Sequence, residues 1–145
     1  MLSVNDSLPS FSLPSTSGEK ISSENLLGKN VVIYFYPKDS TPGCTIEAND
    51  FSNKIDQFQN VNTTVLGVSK DSIKSHRNFI TKQSIAFDLI SDSEAELCEK
   101  FGVWKEKSMF GKKYMGIERS TFLIDTKGIV RKIWHKVAGS IIFFV

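Results

Sequence analysis

Cysteine is scarce in this chain of 145 residues, which has two, at positions 44 and 98. Two cysteines so far apart do not make a disulfide framework, and free thiols persist in a reducing compartment, so we expect a cytoplasmic location. The first residues contain neither a charged segment nor an apolar one, which predicts that no secretory signal is present.

Long apolar runs and long charged runs are also missing. The longest apolar run covers residues 141–145, far short of the roughly 20 residues that a membrane-spanning helix needs. The net charge is +2, from 18 basic and 16 acidic residues that alternate along the chain. We therefore expect no membrane insertion and no binding of nucleic acid through a charged face.

Histidine is equally scarce, and His76 and His135 lie far apart from each other and from both cysteines in the sequence. No spacing typical of metal ligands is present, so we expect neither a metal site nor another cofactor. Both histidines are predicted to be surface residues, either exposed or hydrogen-bonded there.

Short apolar runs alternate with helical patterns along the chain. Strands are predicted at residues 31–36, 64–69, 87–91, 120–124 and 129–134, helices at 45–58, 71–83 and 92–101, and a loop at 105–114. A short hairpin of residues 11–13 and 20–22 precedes them. The order predicts an α/β fold with a mixed, mainly parallel sheet and helices on both faces, in a single domain of residues 1–145.

The pattern around Cys44 is the most informative in the chain. The strand at residues 31–36 ends in a turn with two prolines and a glycine, and the helix at 45–58 follows. Backbone N–H groups at a helix start lack intrahelical partners and carry partial positive charge, which favours a thiolate there. Cys44 is therefore a candidate nucleophile, with the Thr41 hydroxyl beside it; the alternative is a small buried core residue.

The same residues resemble the active site of the peroxiredoxins, which reduce hydroperoxides with a cysteine. Pro37-x-x-x-Thr41-x-x-Cys44 matches the pattern of that family. The longer segment 34–48 resembles the bacterioferritin comigratory protein, or peroxiredoxin Q, branch of it.

Two further segments agree with that branch, residues 98–104 and 116–125, and they occur in the expected order. The resemblance covers roughly residues 4–134, almost the whole chain. It implies a thioredoxin-like fold with an N-terminal β-hairpin extension.

The resemblance implies a thiol peroxidase for hydrogen peroxide and organic hydroperoxides. The Cys44 thiolate attacks the terminal peroxide oxygen and becomes a sulfenic acid. Thr41 holds the peroxide, and Arg119 is the active-site cation, with a solvated surface arginine as the alternative. The supporting loop consists of Pro37, Pro42, Gly43 and Glu47. Glu47 either polarises this loop or is an ordinary first-turn carboxylate favoured by the helix dipole.

One position departs from the resemblance. Many members of the branch carry a second, resolving cysteine five residues after the first, where this chain has Asn49. Others carry it in the next helix, here residues 71–83, which contains none. Cys98 is predicted to be a buried core residue, with a resolving role after local unfolding as the alternative. We therefore expect a one-cysteine mechanism, with reduction by thioredoxin or a small external thiol.

Other functions of the same fold need residues that this chain lacks. A thioredoxin-type disulfide exchanger needs Cys-x-x-Cys, and Thr41 and Glu47 occupy the two candidate partner positions. A copper-handling relative needs Cys-x-x-x-Cys and a histidine, which are also missing. A non-catalytic holdase or binding module on a thioredoxin-like fold stays as the alternative function.

The C-terminal segment also differs from the family pattern, in which an amphipathic helix follows the last strand. Residues 136–145 are too few for that helix, and they have no charge after Lys136 and no helical alternation of polar and apolar positions, which predicts a truncated C-terminal helix and an incompletely covered sheet. A tail packed into the core as an irregular segment is the alternative. We expect a monomer or a weak dimer.

Overall fold

The computed structural model describes residues 2–135, and a five-stranded sheet lies at the centre of this part of the chain. The strands are β1 Ser12–Pro14, β2 Lys20–Ser22, β3 Asn30–Phe35, β4 Thr63–Ser69, β5 Asp88–Ser91, β6 Trp104–Met109, β7 Lys112–Ile117, β8 Ser120–Ile124 and β9 Val130–His135. The α-helices are α1 Pro42–Asn53, α2 Ile55–Asn60, α3 Ile73–Gln83 and α4 Glu96–Lys100.

The central sheet has the strand order β5-β4-β3-β8-β9. β3 pairs with β4, and β4 with β5, in parallel, whereas β8 pairs antiparallel with both β3 and β9. The mixed sheet is confirmed, but the expectation of a mainly parallel one is wrong, because the closing strands form a hairpin that continues the sheet. β3 is the middle strand, which explains its continuous apolar sequence.

Alternate residues of β3 face two separate hydrophobic clusters. Val32 and Tyr34 belong to a cluster that contains Cys44 of α1, Phe58 of α2 and Phe79 of α3. On the opposite face the cluster comprises Val31, Ile33 and Phe35 together with residues of α4 and β8, including Leu97, Cys98, Phe101 and Phe122. Helices thus cover both faces of the sheet, as predicted, and the hairpin of β1 and β2 is also confirmed.

The single helix predicted at residues 45–58 is wrong in one respect, since it is interrupted at Lys54, where φ is −113° and ψ is 14°. Phe51 and Phe58 are buried on the same side of the sheet despite the interruption. The apolar stripe therefore continues across the break, and the spacing of these residues alone could not reveal it.

The loop predicted at residues 105–114 is wrong, because β6 and β7 form an antiparallel hairpin there. Its turn consists of Phe110 and Gly111, which have φ of 53° and 78°. Two adjacent residues in the left-handed region are typical of the tight turns that match strand twist. Phenylalanine is an unusual residue at such a position, and most of the hairpin is exposed, so neither the turn nor an alternating pattern was visible in the sequence.

Two further expectations concern a membrane-spanning helix and the C-terminal segment. From residue 2 to residue 135, no helix has the length and apolar character needed to cross a membrane. The predicted truncation of a helix at residues 136–145 falls outside the described residues.

Candidate active site

Cys44 lies in the first turn of a helix, as predicted. It is the third residue of α1, which begins at Pro42, and Thr41 precedes the helix with an extended backbone at φ −80° and ψ 153°. Proline suits this first helical position because its missing N–H would have no intrahelical partner there. Cys44 is 1% exposed, so its sulfur is enclosed by protein in the first turn of α1.

Arg119 reaches Cys44 because of the way β8 pairs with β3. Ser120, the first residue of β8, lies opposite Phe35, the last residue of β3, so Arg119 lies beside the loop that follows β3. Its Nη2 donates a hydrogen bond to Cys44 Sγ at 3.2 Å. The Arg119 side chain is 19% exposed, which makes this a largely desolvated contact between a cation and the sulfur.

Glu47 holds the other end of the same guanidinium. It lies one helical turn after Cys44, its side chain is fully buried, and its Oε1 accepts a hydrogen bond from Arg119 Nη1 at 2.5 Å. Among the described residues, its Oε2 has no hydrogen-bond partner. This position inside the protein differs from that of an ordinary solvated first-turn carboxylate.

The charges of this pair depend on burial. Burial raises the pKa of Glu47, and Arg119 opposes that rise only in part, so the pKa is about 7 instead of 4.5. Burial alone would lower the pKa of Arg119, but Glu47 and Cys44 outweigh it and the pKa is raised. The guanidinium therefore stays charged while it contacts the sulfur.

The loop before Cys44 carries the remaining predicted site residues. The Thr41 hydroxyl donates to the Lys38 carbonyl oxygen at 2.9 Å, which leaves the lone pairs of its oxygen free to accept a further hydrogen bond. Pro37, Pro42 and Gly43 are exposed around this loop. The Gly43 backbone runs beside Arg119, since a Cβ at this position would lie 3.4 Å from Nη2.

Cys98 lies apart from these residues. It is fully buried in α4, in the cluster on the opposite face of the sheet from Cys44. Its backbone N–H donates to Asp92 Oδ2 at 2.8 Å, and burial together with Asp92 raises the pKa of its thiol. Asn49 is half-buried in α1.

A buried polar network beneath the loop was missed by sequence reasoning. His76 is fully buried, so its predicted surface position is wrong, and its ring contacts Asp39 and the backbone of Ile90. These partners are 37 and 14 residues away in the sequence, so no local pattern could identify them. His135 is exposed, as predicted.

This network also contains the one group of three potential metal ligands found between residues 2 and 135. The ligand atoms of Asp39, Asp71 and His76 lie within 4.8 Å of one another. Protein hydrogen bonds already engage all three side chains. The absence of a metal site stays a prediction.

Lys107 is a second residue near the site that the sequence did not indicate. Burial and the positive charge of Arg119 lower its pKa, while Glu118 and Cys44 oppose that effect. Its stem lies against Gly116, where a Cβ would be 3.3 Å from Lys107 Cδ. Because its hairpin was predicted to be a loop, this approach to the site could not be anticipated.

Comparison with known proteins supports the resemblance seen in the sequence. The profile of the AhpC/TSA family matches residues 4–133. Peroxiredoxin Bcp of Bacillus subtilis is 46% identical over 136 residues, which are 94% of this chain and 87% of the relative.

Solved structures agree with both the fold and the family. A mutant of Xylella fastidiosa PrxQ has a TM-score of 0.93 at 38% identity, over 99% of this chain and 94% of that one. Xanthomonas campestris bacterioferritin comigratory protein, studied for its alkyl peroxide reduction activity, has a TM-score of 0.86 at 44% identity, over 93% and 90% of the two chains. The chain therefore belongs to the AhpC/TSA family, and within it to the peroxiredoxins of the bacterioferritin comigratory protein, or peroxiredoxin Q, branch.

Proposed function

We propose that Cys44 is the peroxidatic cysteine of this chain, which is a thiol-dependent peroxidase. The observation that carries the proposal is the 3.2 Å contact between Arg119 Nη2 and Cys44 Sγ in the first turn of α1. The guanidinium and the helix N-terminus both favour negative charge on this sulfur. A largely desolvated cation next to a sulfur is an environment that favours a reactive thiolate.

The reaction is a displacement at oxygen. The Cys44 sulfur forms a bond to the terminal oxygen of the hydroperoxide, and the O–O bond breaks. The other oxygen leaves with the electron pair of that bond, takes from solvent the proton that the Cys44 thiol released on ionising, and departs as an alcohol or as water. The peroxide is reduced, and Cys44 is oxidised to a sulfenic acid. Alkyl hydroperoxides and hydrogen peroxide are the proposed substrates, in line with the alkyl peroxide reduction described for the Xanthomonas campestris relative.

Arg119 is proposed to stabilise the charge that moves from sulfur to the leaving oxygen. Glu47 fixes the guanidinium from the side opposite the sulfur, so its orientation is set before the peroxide arrives. Donors that are oriented in advance stabilise a transition state without further reorganisation. Glu47 thus acts through Arg119.

Thr41 and the start of α1 are proposed to bind the peroxide. The Thr41 hydroxyl donates its hydrogen bond to the Lys38 carbonyl oxygen. Its own oxygen can therefore accept the hydrogen bond from the hydroperoxide O–H. The N–H groups of Gly43 and Cys44 lie in the first turn, where no intrahelical acceptor exists. They are suited to donate to the peroxide oxygens, while Pro37 and Pro42 constrain the loop.

The recycling step is proposed to use an external thiol. The only other cysteine of the chain, Cys98, lies on the opposite face of the sheet, and Asn49 occupies the usual position of a resolving thiol. A thiol of thioredoxin or of a small molecule would attack the sulfenic sulfur and release water as a mixed disulfide forms. A second reductant thiol would then restore Cys44 and leave as the oxidised partner.

Turnover by two serine variants tests this function. Cys44→Ser should reduce hydrogen peroxide at the uncatalysed background rate with dithiothreitol as reductant, because serine cannot form the sulfenic acid. Cys98→Ser, which also removes one buried sulfur, should retain the wild-type rate. Undiminished turnover by Cys44→Ser would refute the assignment, and equal losses in both variants would point to damage to the fold.

The cellular setting is proposed from the two free thiols. Both cysteines are unpaired in the structure, which suits the reducing cytoplasm.

We also propose that residues 1–145 form a single domain and that the protein is a monomer or a weak dimer. Size-exclusion chromatography over a range of concentrations measures the oligomeric state, and a stable larger assembly would contradict this proposal.

A further inference from the structure

The loop between β3 and α1 contains a buried carboxylate in an otherwise exposed turn. Asp39 is 6% exposed, whereas its neighbours Lys38 and Ser40 are exposed. Ser40 has φ of 62°, in the left-handed region that non-glycine residues seldom adopt. Such a conformation persists only where surrounding contacts impose it. The contacts of Asp39 are therefore candidates for what holds this loop in place.

Three side chains contact the Asp39 carboxylate, one from the residue after β3 and two from α3. The hydroxyl of Tyr36, the residue directly after β3, donates to Oδ1 at 2.6 Å. On α3, Ser75 Oγ lies 2.8 Å from Oδ2, and His76 Nδ1 also lies 2.8 Å from Oδ2. The carboxylate thus connects the loop to the central strand and to a helix that the chain reaches more than thirty residues later.

The backbone of Asp39 is held as well. Its N–H donates to Asp71 Oδ2 at 2.9 Å, and the Ser69 hydroxyl donates to the same oxygen at 2.6 Å. Asp71 lies in the short segment between β4 and α3. This contact therefore ties the backbone of the loop to the end of a sheet strand and to the start of a helix. Side chain and backbone together leave Asp39 little freedom to shift.

The two nitrogens of His76 both face oxygens that accept hydrogen bonds. Nε2 lies 2.9 Å from the Ile90 carbonyl oxygen, and Nδ1 lies 2.8 Å from Asp39 Oδ2. A neutral imidazole has only one N–H, so it can satisfy one of these contacts and leaves two lone pairs opposed in the other. The geometry therefore requires one more proton, carried either by the imidazole ring or by the carboxyl group. In both cases the buried pair has no net charge.

We propose that Asp39 and His76 are positioning residues that hold the loop of residues 37–43 in the geometry required for reaction of Cys44 with peroxide. The inference rests on the proposed function of Cys44. Buried ion pairs contribute little net stability, because desolvation offsets their attraction, but they can specify one arrangement of the chain. Here that arrangement sets the position of Thr41 and of the first turn of α1, two and three residues after Asp39.

Two rates measured on the same variants test the inference. Asp39→Asn and His76→Leu should slow the oxidation of Cys44 by stoichiometric hydrogen peroxide about 10- to 100-fold, since small displacements of reacting groups have effects of this size. Alkylation of Cys44 by iodoacetamide should stay constant or become faster, because it needs an accessible thiolate and not the peroxide-binding geometry. Peptide mass spectrometry after rapid quenching follows both reactions at Cys44.

Asp92→Asn is the matched control. Asp92 is also fully buried, but its carboxylate accepts the N–H groups of Leu97 and Cys98 at the start of α4. This variant should lose stability and keep the wild-type rate of Cys44 oxidation. If it slowed that reaction as much as Asp39→Asn at a similar loss of stability, the effect would be general, and the inference would be wrong.

Conservative variants keep the test decisive if a severe one does not fold. His76→Asn retains one amide N–H near the position of Nδ1 and should recover most of the peroxide reactivity lost in His76→Leu. Tyr36→Phe removes the hydroxyl that donates to Asp39 and lies 3.4 Å from His76 Nδ1, but it leaves the contact between Asp39 and His76 in place and should give a smaller loss. Wild-type oxidation rates in both Asp39→Asn and His76→Leu, or in Tyr36→Phe when these do not fold, would overturn the inference. If Cys44 of the wild-type chain did not react with peroxide at all, the proposed function itself would be refuted.

Discussion

Cys44 and Cys98 occupy the same local position and meet opposite charges. Each is the third residue of its helix, α1 or α4, and they are 1% and 0% exposed. The sulfur of Cys44 accepts a hydrogen bond from the Arg119 guanidinium, whereas the residue beside Cys98 is the carboxylate of Asp92. Burial and a helix start are therefore common to both thiols and do not distinguish them.

The charge beside each thiol depends on which strand precedes its helix. α1 follows the loop after β3, and the antiparallel pairing of β8 with β3 brings Arg119 beside that loop. α4 follows β5, and Asp92, the residue after that strand, accepts two N–H groups of the first turn. A cation beside a helix start favours a thiolate there, whereas an anion favours the protonated thiol. The following four predictions test this comparison.

The largest expected contrast is in oxidation by a single equivalent of hydrogen peroxide. Cys44 should be oxidised completely to the sulfenic acid. Cys98 should stay a thiol, because burial and Asp92 raise the pKa of its thiol. Peptide mass spectrometry in the presence of a small thiol should find Cys44 as its sulfenic acid or mixed disulfide. A dominant Cys44–Cys98 disulfide would contradict the one-cysteine mechanism.

Removal of the cation should produce the next largest effect. Arg119→Met keeps much of the aliphatic stem but removes the donor to Cys44, so oxidation by peroxide should slow by roughly 10²–10³-fold. Arg131→Met is the matched control, because Arg131 pairs with Asp125 at the surface and lies outside the site. Quenched-flow measurement of the two rates gives the comparison, and equal rates in both variants would remove Arg119 from the mechanism.

The stability of the chain should depend on pH through Glu47. Its pKa is about 7 in the folded chain and 4.5 when unfolded, so the unfolded carboxyl group ionises first as the pH rises. The wild-type chain should therefore lose stability between these two values, by on the order of 3 kcal/mol. Glu47→Gln cannot ionise and should lack this loss.

Urea denaturation on either side of that pH window measures the effect. The free energy of unfolding of Glu47→Gln relative to the wild type should increase from acid to mildly basic pH. Glu99→Gln, at an exposed position of α4, should show no such change relative to the wild type. A constant difference between Glu47→Gln and the wild type across the window would show that Glu47 ionises normally.

The smallest effect is expected for Thr41. Thr41→Val keeps the shape of the side chain but removes the oxygen proposed to accept the peroxide proton, and we expect oxidation to slow about 10-fold, the effect of losing one modest hydrogen bond. Thr81→Val, on the exposed side of α3, is the control. An unchanged rate for Thr41→Val would limit the role of Thr41 to its hydrogen bond with Lys38.

The parts of the fold that could be predicted are those with local signals. β3 is a continuous apolar run, and it is the middle strand of the sheet. The turn of β6 and β7 could not be recognised, because Phe110 occupies a left-handed position that usually carries glycine or asparagine. The exposed strands on either side of it also lack the alternation that burial of one face produces.

The candidate site likewise contains residues that a local motif identifies and residues that it does not. Pro37, Thr41 and Cys44 form one short motif, so the resemblance identifies them from the linear chain alone. His76 was placed wrongly at the surface, because its two partners become neighbours only when α3 packs against β5 and the loop before α1.

The sequence by itself determined the family, the position of a cysteine at a helix start and the presence of Asn49 where the resemblance implies a second cysteine. These features depend on residue identity and short spacing, which the linear chain contains in full. The resemblance named Arg119 as the active-site cation, but only tertiary structure decided which atoms join it to Cys44, that Glu47 is buried with a raised pKa, and that Asp39 meets His76. Each of these depends on distances between residues far apart in the chain and on exclusion of water, and only the packed sheet and helices set both.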